Sequence, residues 1–151
     1  MPHSPATVTW PSAQRHADFD RWFAPLVARH HLDASTLRPA SADASFRRYL
    51  RVNGANDTTY IVMDAPPPQE DVRPFIDVAA RIQAAQLHGP QVLASDAEHG
   101  FVLLSDLGAT LYLAALSEAS PAQADHLMRS ALGALVHWQQ RVSPAGLPPY
   151  D

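Results

Sequence analysis

The run SFRRYLRVNGANDTTYIVMDAPPP, residues 45–68, constrains the fold of this chain more than any other stretch. Two of its segments are rich in β-branched and aromatic residues, and a turn containing Gly54 and Asn56 separates them, which is the mark of antiparallel strands. Three consecutive prolines then end the second segment, because a residue lacking an N–H cannot continue a central strand. With STLRPAS upstream, the reading is a three-stranded meander.

Helical spacing brackets the meander. Phe19, Trp22, Phe23, Leu26 and Val27 lie at helical intervals within residues 12–31, with Ser12 as N-cap, and the helix is expected to kink or end near Pro25. Phe75, Ile76, Val78, Ala79 and Ile82 predict a second helix from Asp71 to Leu87, stopped at Gly89-Pro90. QVLAS and GFVLLSDL then read as two further strands. Helix, three strands, helix, two strands is the order of an α+β lobe in which a mostly antiparallel five-stranded sheet carries one long helix.

The last forty residues differ in character. TLYLAAL predicts a short helix at 110–116, and Ser120-Pro121-Ala122-Gln123 is a capping box with proline at the first helical position. Leu127, Ala131, Leu135, Trp138 and Val142 then form an apolar stripe that, with Tyr112, requires a partner surface. LPPY before Asp151 reads as a connection, so the natural protein is expected to continue.

Composition narrows the function classes. A chain of 151 residues holds one domain or two small lobes. The net charge of −4 supplies no pull toward nucleic acid. There is no cysteine, which excludes disulfides and thiolate metal sites. The eight histidines show no spacing suited to a tetrahedral metal site. Neither a signal segment nor an apolar run of membrane-spanning length is present, and a cytoplasmic location is the expectation. All eleven basic residues are arginine, so chemistry that depends on a lysine is closed to this chain.

Four segments, SADASFRRYLRV, YIVMDAPP, DVRPF and FVLLSDLG, together resemble the aminoglycoside phosphotransferase and choline kinase superfamily, and within it the anomeric N-acetylmuramate/N-acetylglucosamine kinases of peptidoglycan recycling. The resemblance implies a protein-kinase-like N-lobe at residues 12–106, preceded by a flexible stretch at 1–11. A hinge and the first helices of a truncated C-lobe would occupy 107–151. It also implies ATP as cofactor, Mg²⁺ arriving with the nucleotide, and an amino sugar as acceptor in the complete enzyme.

By that resemblance SADAS is the turn over the triphosphate. Backbone N–H groups of Asp43, Ala44 and Ser45 would approach the phosphates, and the Ser45 hydroxyl would add a donor. Strand alternation separates Arg47 from Arg48, and Arg47, on the face of Ser45, is the expected phosphate contact. Tyr49, Val62 and Leu104 would wall the adenine, whose edge would meet backbone groups from Leu104 through Ser105 to Asp106. Met63 stands where the wider kinase pattern has a lysine paired with an acid on the next helix, here Asp77. The missing charge must then come from arginine, metal ions or the other lobe. No H-x-D-x-x-x-x-N catalytic loop occurs in these residues, so the chain alone is expected to be inactive.

Plainer roles stand beside these. Arg47, Arg48 and Arg51 also fit a solvated strand face, Asp64 and Asp106 fit turn or capping residues, Met63 fits core filling, and Trp22, Trp138 and Tyr112 fit core or lobe-interface packing. The alternative function is a non-catalytic, kinase-like module that binds nucleotide weakly or pairs with another chain through its C-terminal helix. An exposed apolar patch and self-association would accompany an isolated lobe.

Overall fold

The computed structural model describes residues 8–42 and 45–149. Its element order is α1 (Ala13–Arg29), β1 (Asp33–Ala42), β2 (Arg48–Asn53), β3 (Thr59–Asp64), α2 (Arg73–Ala84), β4 (Val92–Asp96), β5 (Phe101–Ser105), α3 (Tyr112–Glu118) and α4 (Pro121–Arg141). Two compact units divide these elements. One holds α1, the five strands and the first turn of α2, and the other holds the rest of α2 with α3 and α4.

In the first unit the strands form one sheet in the order β1-β2-β3-β5-β4, every neighbouring pair antiparallel. The expected α+β layout is therefore present. β1 and β4 are the edges, and β1 tolerates Pro39 because an edge strand has fewer ladder bonds to lose; its register shifts between Pro39 and Ser41. Central β3 is buried on both faces at its end, through Val62, Met63 and Asp64.

Period-two alternation sorts the core into two layers. Leu50, Val52, Val62, Phe101 and Leu103 face α1 and meet its Phe19, Phe23 and Leu26. Met63, Val102 and Leu104 face the other way, packing with Val72 and with half-buried Tyr49, Ile61, Phe75 and Ile76. Trp22 stacks on Phe101 at 5.3 Å between ring centroids, a packing role.

Helix ends depart from the sequence expectation. Ser12 caps α1 by accepting from the Arg15 N–H. The helix does not end at Pro25, which is exposed, and runs four residues further. Its close is a left-handed His31, φ 52°, with the Leu32 N–H donating to the Val27 carbonyl. α2 stops at Ala84 rather than Leu87, and Gln86 (φ 58°), not Gly89, takes the left-handed position while Leu87 N–H donates back to Ile82.

In the second unit, α4 begins with the expected capping box of Ser120 and Gln123. His137 Nε2 lies 2.7 Å from the Ala85 carbonyl, and Arg81 donates to the carbonyls of Ser143 and Ala145, so both ends of α4's second half are tied to the end of α2. The Tyr112 hydroxyl donates to the Leu127 carbonyl. Of the expected stripe, Leu127, Trp138 and Val142 are half-buried while Ala131 and Leu135 are exposed, and Leu135 shares an exposed apolar face with Met128, Leu132 and Val136.

Candidate functional site

Of the residues proposed from sequence for the nucleotide, Tyr49, Met63 and Leu104 lie on the α2-facing side of the sheet, whereas Val62 and Ser105, the latter paired with Tyr60, lie on the α1 side. Tyr49 and Met63 are directly paired across β2 and β3, and Ile61 pairs with Leu104 across β3 and β5, which places all four on one face. Val62 points to α1, among Leu50, Val52 and Leu103, and cannot share a wall with Tyr49. Strand alternation makes that correction, and the β3 residue on the face of Tyr49 beside Met63 is Ile61. Met63 is fully buried and Leu104 nearly so, so both back this face, while half-buried Tyr49, Ile61 and Val92 border it. Asp43 and Ala44 lie outside the described residues.

Arg47, Arg48 and Arg51 each have a carboxylate partner, and none belongs to a simply solvated face. Arg48 lies on the α1 side, where its Nε donates to Asp64 Oδ2 at 2.6 Å. Its Nη1 donates to the Thr9 carbonyl and its guanidinium sits 4.4 Å from the Trp10 ring centroid. Arg15, from α1, reaches the same carboxylate through Nε at 3.0 Å and Nη2 at 2.5 Å, and stacks over Phe101. Asp64 is 1% exposed, a buried anion between two cations and not a turn acceptor. A 380 Å³ cavity opens beside Arg48, Asp64 and Phe46; both Asp64 oxygens and Arg48 Nε and Nη1 are paired within the cluster, while Arg48 Nη2 is buried without a hydrogen-bond partner.

Arg51, on the α2-facing side, grips Asp106 with two bonds, Nε to Oδ2 at 2.5 Å and Nη2 to Oδ1 at 3.2 Å. Thr59 donates its hydroxyl to the same Oδ2 at 2.7 Å. Asp106 is thereby tied to β2 and β3, a tether at the end of β5. Ser105 is engaged as well: its N–H donates to the Gln91 carbonyl at 3.0 Å, and its hydroxyl accepts from the Gln91 N–H at 2.9 Å. That amide is paired with the segment before β4 and is not offered to a base.

Arg47 stands just before β2. Its Nε donates to Glu70 Oε2 at 2.7 Å, and this hydrogen bond is the main cause that holds the guanidinium pKa above its ordinary value, against the effect of burial. The Arg47 N–H donates to Ser45 Oγ at 3.2 Å. Because the Ser45 oxygen is the acceptor there, its own proton is left to donate to a ligand. Glu70, Thr59 and Ile61 were not singled out from sequence. Alternation from Tyr49 and Met63 contains the signal for Ile61; Glu70 lies 23 residues from Arg47 and has none.

Among the described residues, no group of three His, Asp or Glu side chains converges to hold a metal ion, and no helix is long and apolar enough to cross a membrane.

Comparison with known proteins identifies relatives of this architecture. The chain is 54% identical over 116 residues to the N-acetylmuramate/N-acetylglucosamine kinase of Pseudomonas aeruginosa, covering 76% of this chain and 33% of the relative. It is 44% identical over 118 residues to the Pseudomonas putida protein of that name, covering 78% and 34%. Against the namesake in Neisseria meningitidis serogroup B it is 35% identical over 139 residues, covering 91% and 40%. The chain thus spans about a third of the length of the curated relatives it matches. Residues 36–151 match the phosphotransferase enzyme family, APH, and the sheet, its two-layered core and its tethered strand end are therefore those of a chain that belongs to that family.

Proposed function

We propose that this chain is the ATP-binding part of a sugar kinase that phosphorylates a hydroxyl of an N-acetylated amino sugar, at the anomeric position, in peptidoglycan recycling. The observation that carries the reading is 54% identity to a protein named N-acetylmuramate/N-acetylglucosamine kinase. In this reading residues 12–106 are the nucleotide-binding lobe, and 107–151 are a hinge with the first helices of a second lobe. The work is done in the cytoplasm.

Bound ATP supplies the phosphoryl group; the residues described here bind and orient it. Tyr49 and Ile61 offer apolar surface to the base, backed by Met63 and Leu104. Ser45 donates its hydroxyl proton to a phosphate oxygen, and Arg47 places a permanent positive charge beside it. Mg²⁺ reaches the site on the phosphates. The catalytic base is not among the motifs of these 151 residues, and the chain by itself transfers no phosphate.

A second reading, a non-catalytic module that pairs with another chain through α4, is favoured by the exposed stripe of Met128, Leu132, Leu135 and Val136. Calorimetric titration of Mg²⁺-ATP into the chain distinguishes the two. Saturable binding that Ser45→Ala weakens supports the nucleotide reading. Absence of binding at millimolar ATP overturns it and leaves the module.

A further inference from the structure

Phosphoryl-transfer proteins of the protein-kinase type hold the nucleotide phosphates with a cation on a central strand, and a carboxylate on the following helix orients that cation. The sheet face described above has no such cation on its central strand. Met63 occupies β3 at full burial among Ala65, Val72, Val102 and Leu104, a surrounding in which a charge would be costly to place.

Three arginines lie close by on or next to β2, and the geometry separates them. Arg48 is on the opposite face and is held by Asp64 and the Thr9 carbonyl. Arg51 meets Asp106 through both Nε and Nη2, and the same carboxylate takes the Thr59 hydroxyl. Arg47 meets Glu70 through Nε and also interacts with the Tyr49 hydroxyl, and the Glu70 contact does not occupy the Nη edge with which a guanidinium grips a phosphate.

Glu70 is well placed to orient it. Its side chain is 11% exposed, and its N–H donates to the Pro66 carbonyl at 3.1 Å, closing the proline-stiffened turn that leads from β3 toward α2. Ser45, whose oxygen accepts from the Arg47 N–H, adds a hydroxyl donor just before β2.

We propose that Arg47 and Glu70 together replace the strand-lysine and helix-acid pair: Arg47 contacts the nucleotide phosphates through its Nη edge, and Glu70 is the positioning residue that fixes Arg47 through Nε. The cation has moved from β3 to the approach to β2, and the acid from α2 to the turn preceding it. The inference rests on the nucleotide-binding reading above and adds to it which residues supply the missing charge and its orientation.

The test is calorimetric titration of the 151-residue chain with Mg²⁺-ATP and, separately, with adenosine, for the wild type, Arg47→Ala, Arg47→Lys, Glu70→Gln and the double variant Arg47→Ala/Glu70→Gln. Arg47→Ala should weaken ATP about tenfold or more, the worth of a charge-assisted contact, and leave adenosine unchanged. Glu70→Gln should weaken ATP by a smaller factor, again without touching adenosine, and should have no further effect once Arg47 is alanine. Arg47→Lys keeps charge and stem but cannot hold Glu70 and a phosphate with two edges at once, so it should bind ATP between wild type and alanine. Thermal unfolding of each variant shows that it is folded.

If the wild type binds ATP and the variants bind it equally well, or if they lose ATP and adenosine by the same factor, the pair has no phosphate role and the inference is overturned. Additive effects of Arg47→Ala and Glu70→Gln would overturn the positioning role of Glu70. A wild-type chain that binds no ATP is a different failure: it overturns the nucleotide reading itself.

Discussion

Asp64 shows how a single strand position is decided by charge as well as by pattern. It follows Val62 on the α1 face, where alternation calls for an apolar residue, and it is buried as thoroughly as its neighbours. A buried carboxylate is tolerable only when paired and hydrogen-bonded, and here Arg15 and Arg48 supply two charges and three hydrogen bonds that reach both oxygens. Removing the anion leaves two cations facing each other at the end of the core. Asp64→Ala should therefore lower stability by about 3 kcal/mol, the range for breaking a buried pair from one side, measured by urea unfolding. A loss under about 1 kcal/mol would mean that both guanidinium groups relax into water without cost. From sequence, alternation is enough to place Arg47 and Arg48 on opposite faces. The partners are another matter: Arg15 lies 49 residues from Asp64 and Glu70 lies 23 from Arg47, separations at which no local rule operates.

Elements whose signals are local were legible, and their ends were not. The meander, the two later strands and the Ser120 capping box each rest on residues within a few positions of one another, and each is present where expected. Helix ends are a poorer signal because the left-handed closing position favours glycine without requiring it, and here His31 and Gln86 take it. The β2-β3 turn is similar: Asn56 and Asp57 adopt positive φ, not Gly54. In the β4-β5 hairpin the rule does hold. Asp96 Oδ1 accepts from the N–H groups of Glu98 and His99, turning the chain, and Gly100 follows with φ 71°. A Cβ on Gly100 would lie 1.9 Å from the Ala65 carbonyl oxygen, and Gly100's own carbonyl accepts from the Ala65 N–H at 2.9 Å. Gly100→Ala therefore combines a disfavoured φ with a clash against backbone that is itself hydrogen-bonded. It should cost about 3 kcal/mol or more, seen as a lowered urea midpoint; a variant as stable as wild type would show that the β3 end can retreat from the hairpin.

At the scale of the whole molecule, the two units differ in how completely they bury their apolar residues. The first has a core on both faces of its sheet. In the second, α4 has no fully buried residue, although its 21 residues make it the longest helix among those described. Met128, Leu132, Leu135 and Val136 recur at the spacing of one helix face, and each is about half exposed. Water contact over such a stripe is unfavourable by roughly 25 cal/mol per Å² of apolar surface, a driving force for covering it that does not depend on what the cover is. The curated relatives are more than twice the length of the chain, so the face has a natural candidate for cover in the rest of such a protein. In the 151-residue chain by itself, another copy is the available surface. Sedimentation equilibrium should then show a mass that rises with concentration, and Leu132→Gln with Leu135→Gln should return it to that of a monomer. Glutamine is nearly as good a helix former as leucine, and the capping box is untouched, so the helix itself should survive the change. Equal, concentration-independent monomer masses for both proteins would show that the stripe is tolerated in water. The case for a covering segment would then rest on length alone.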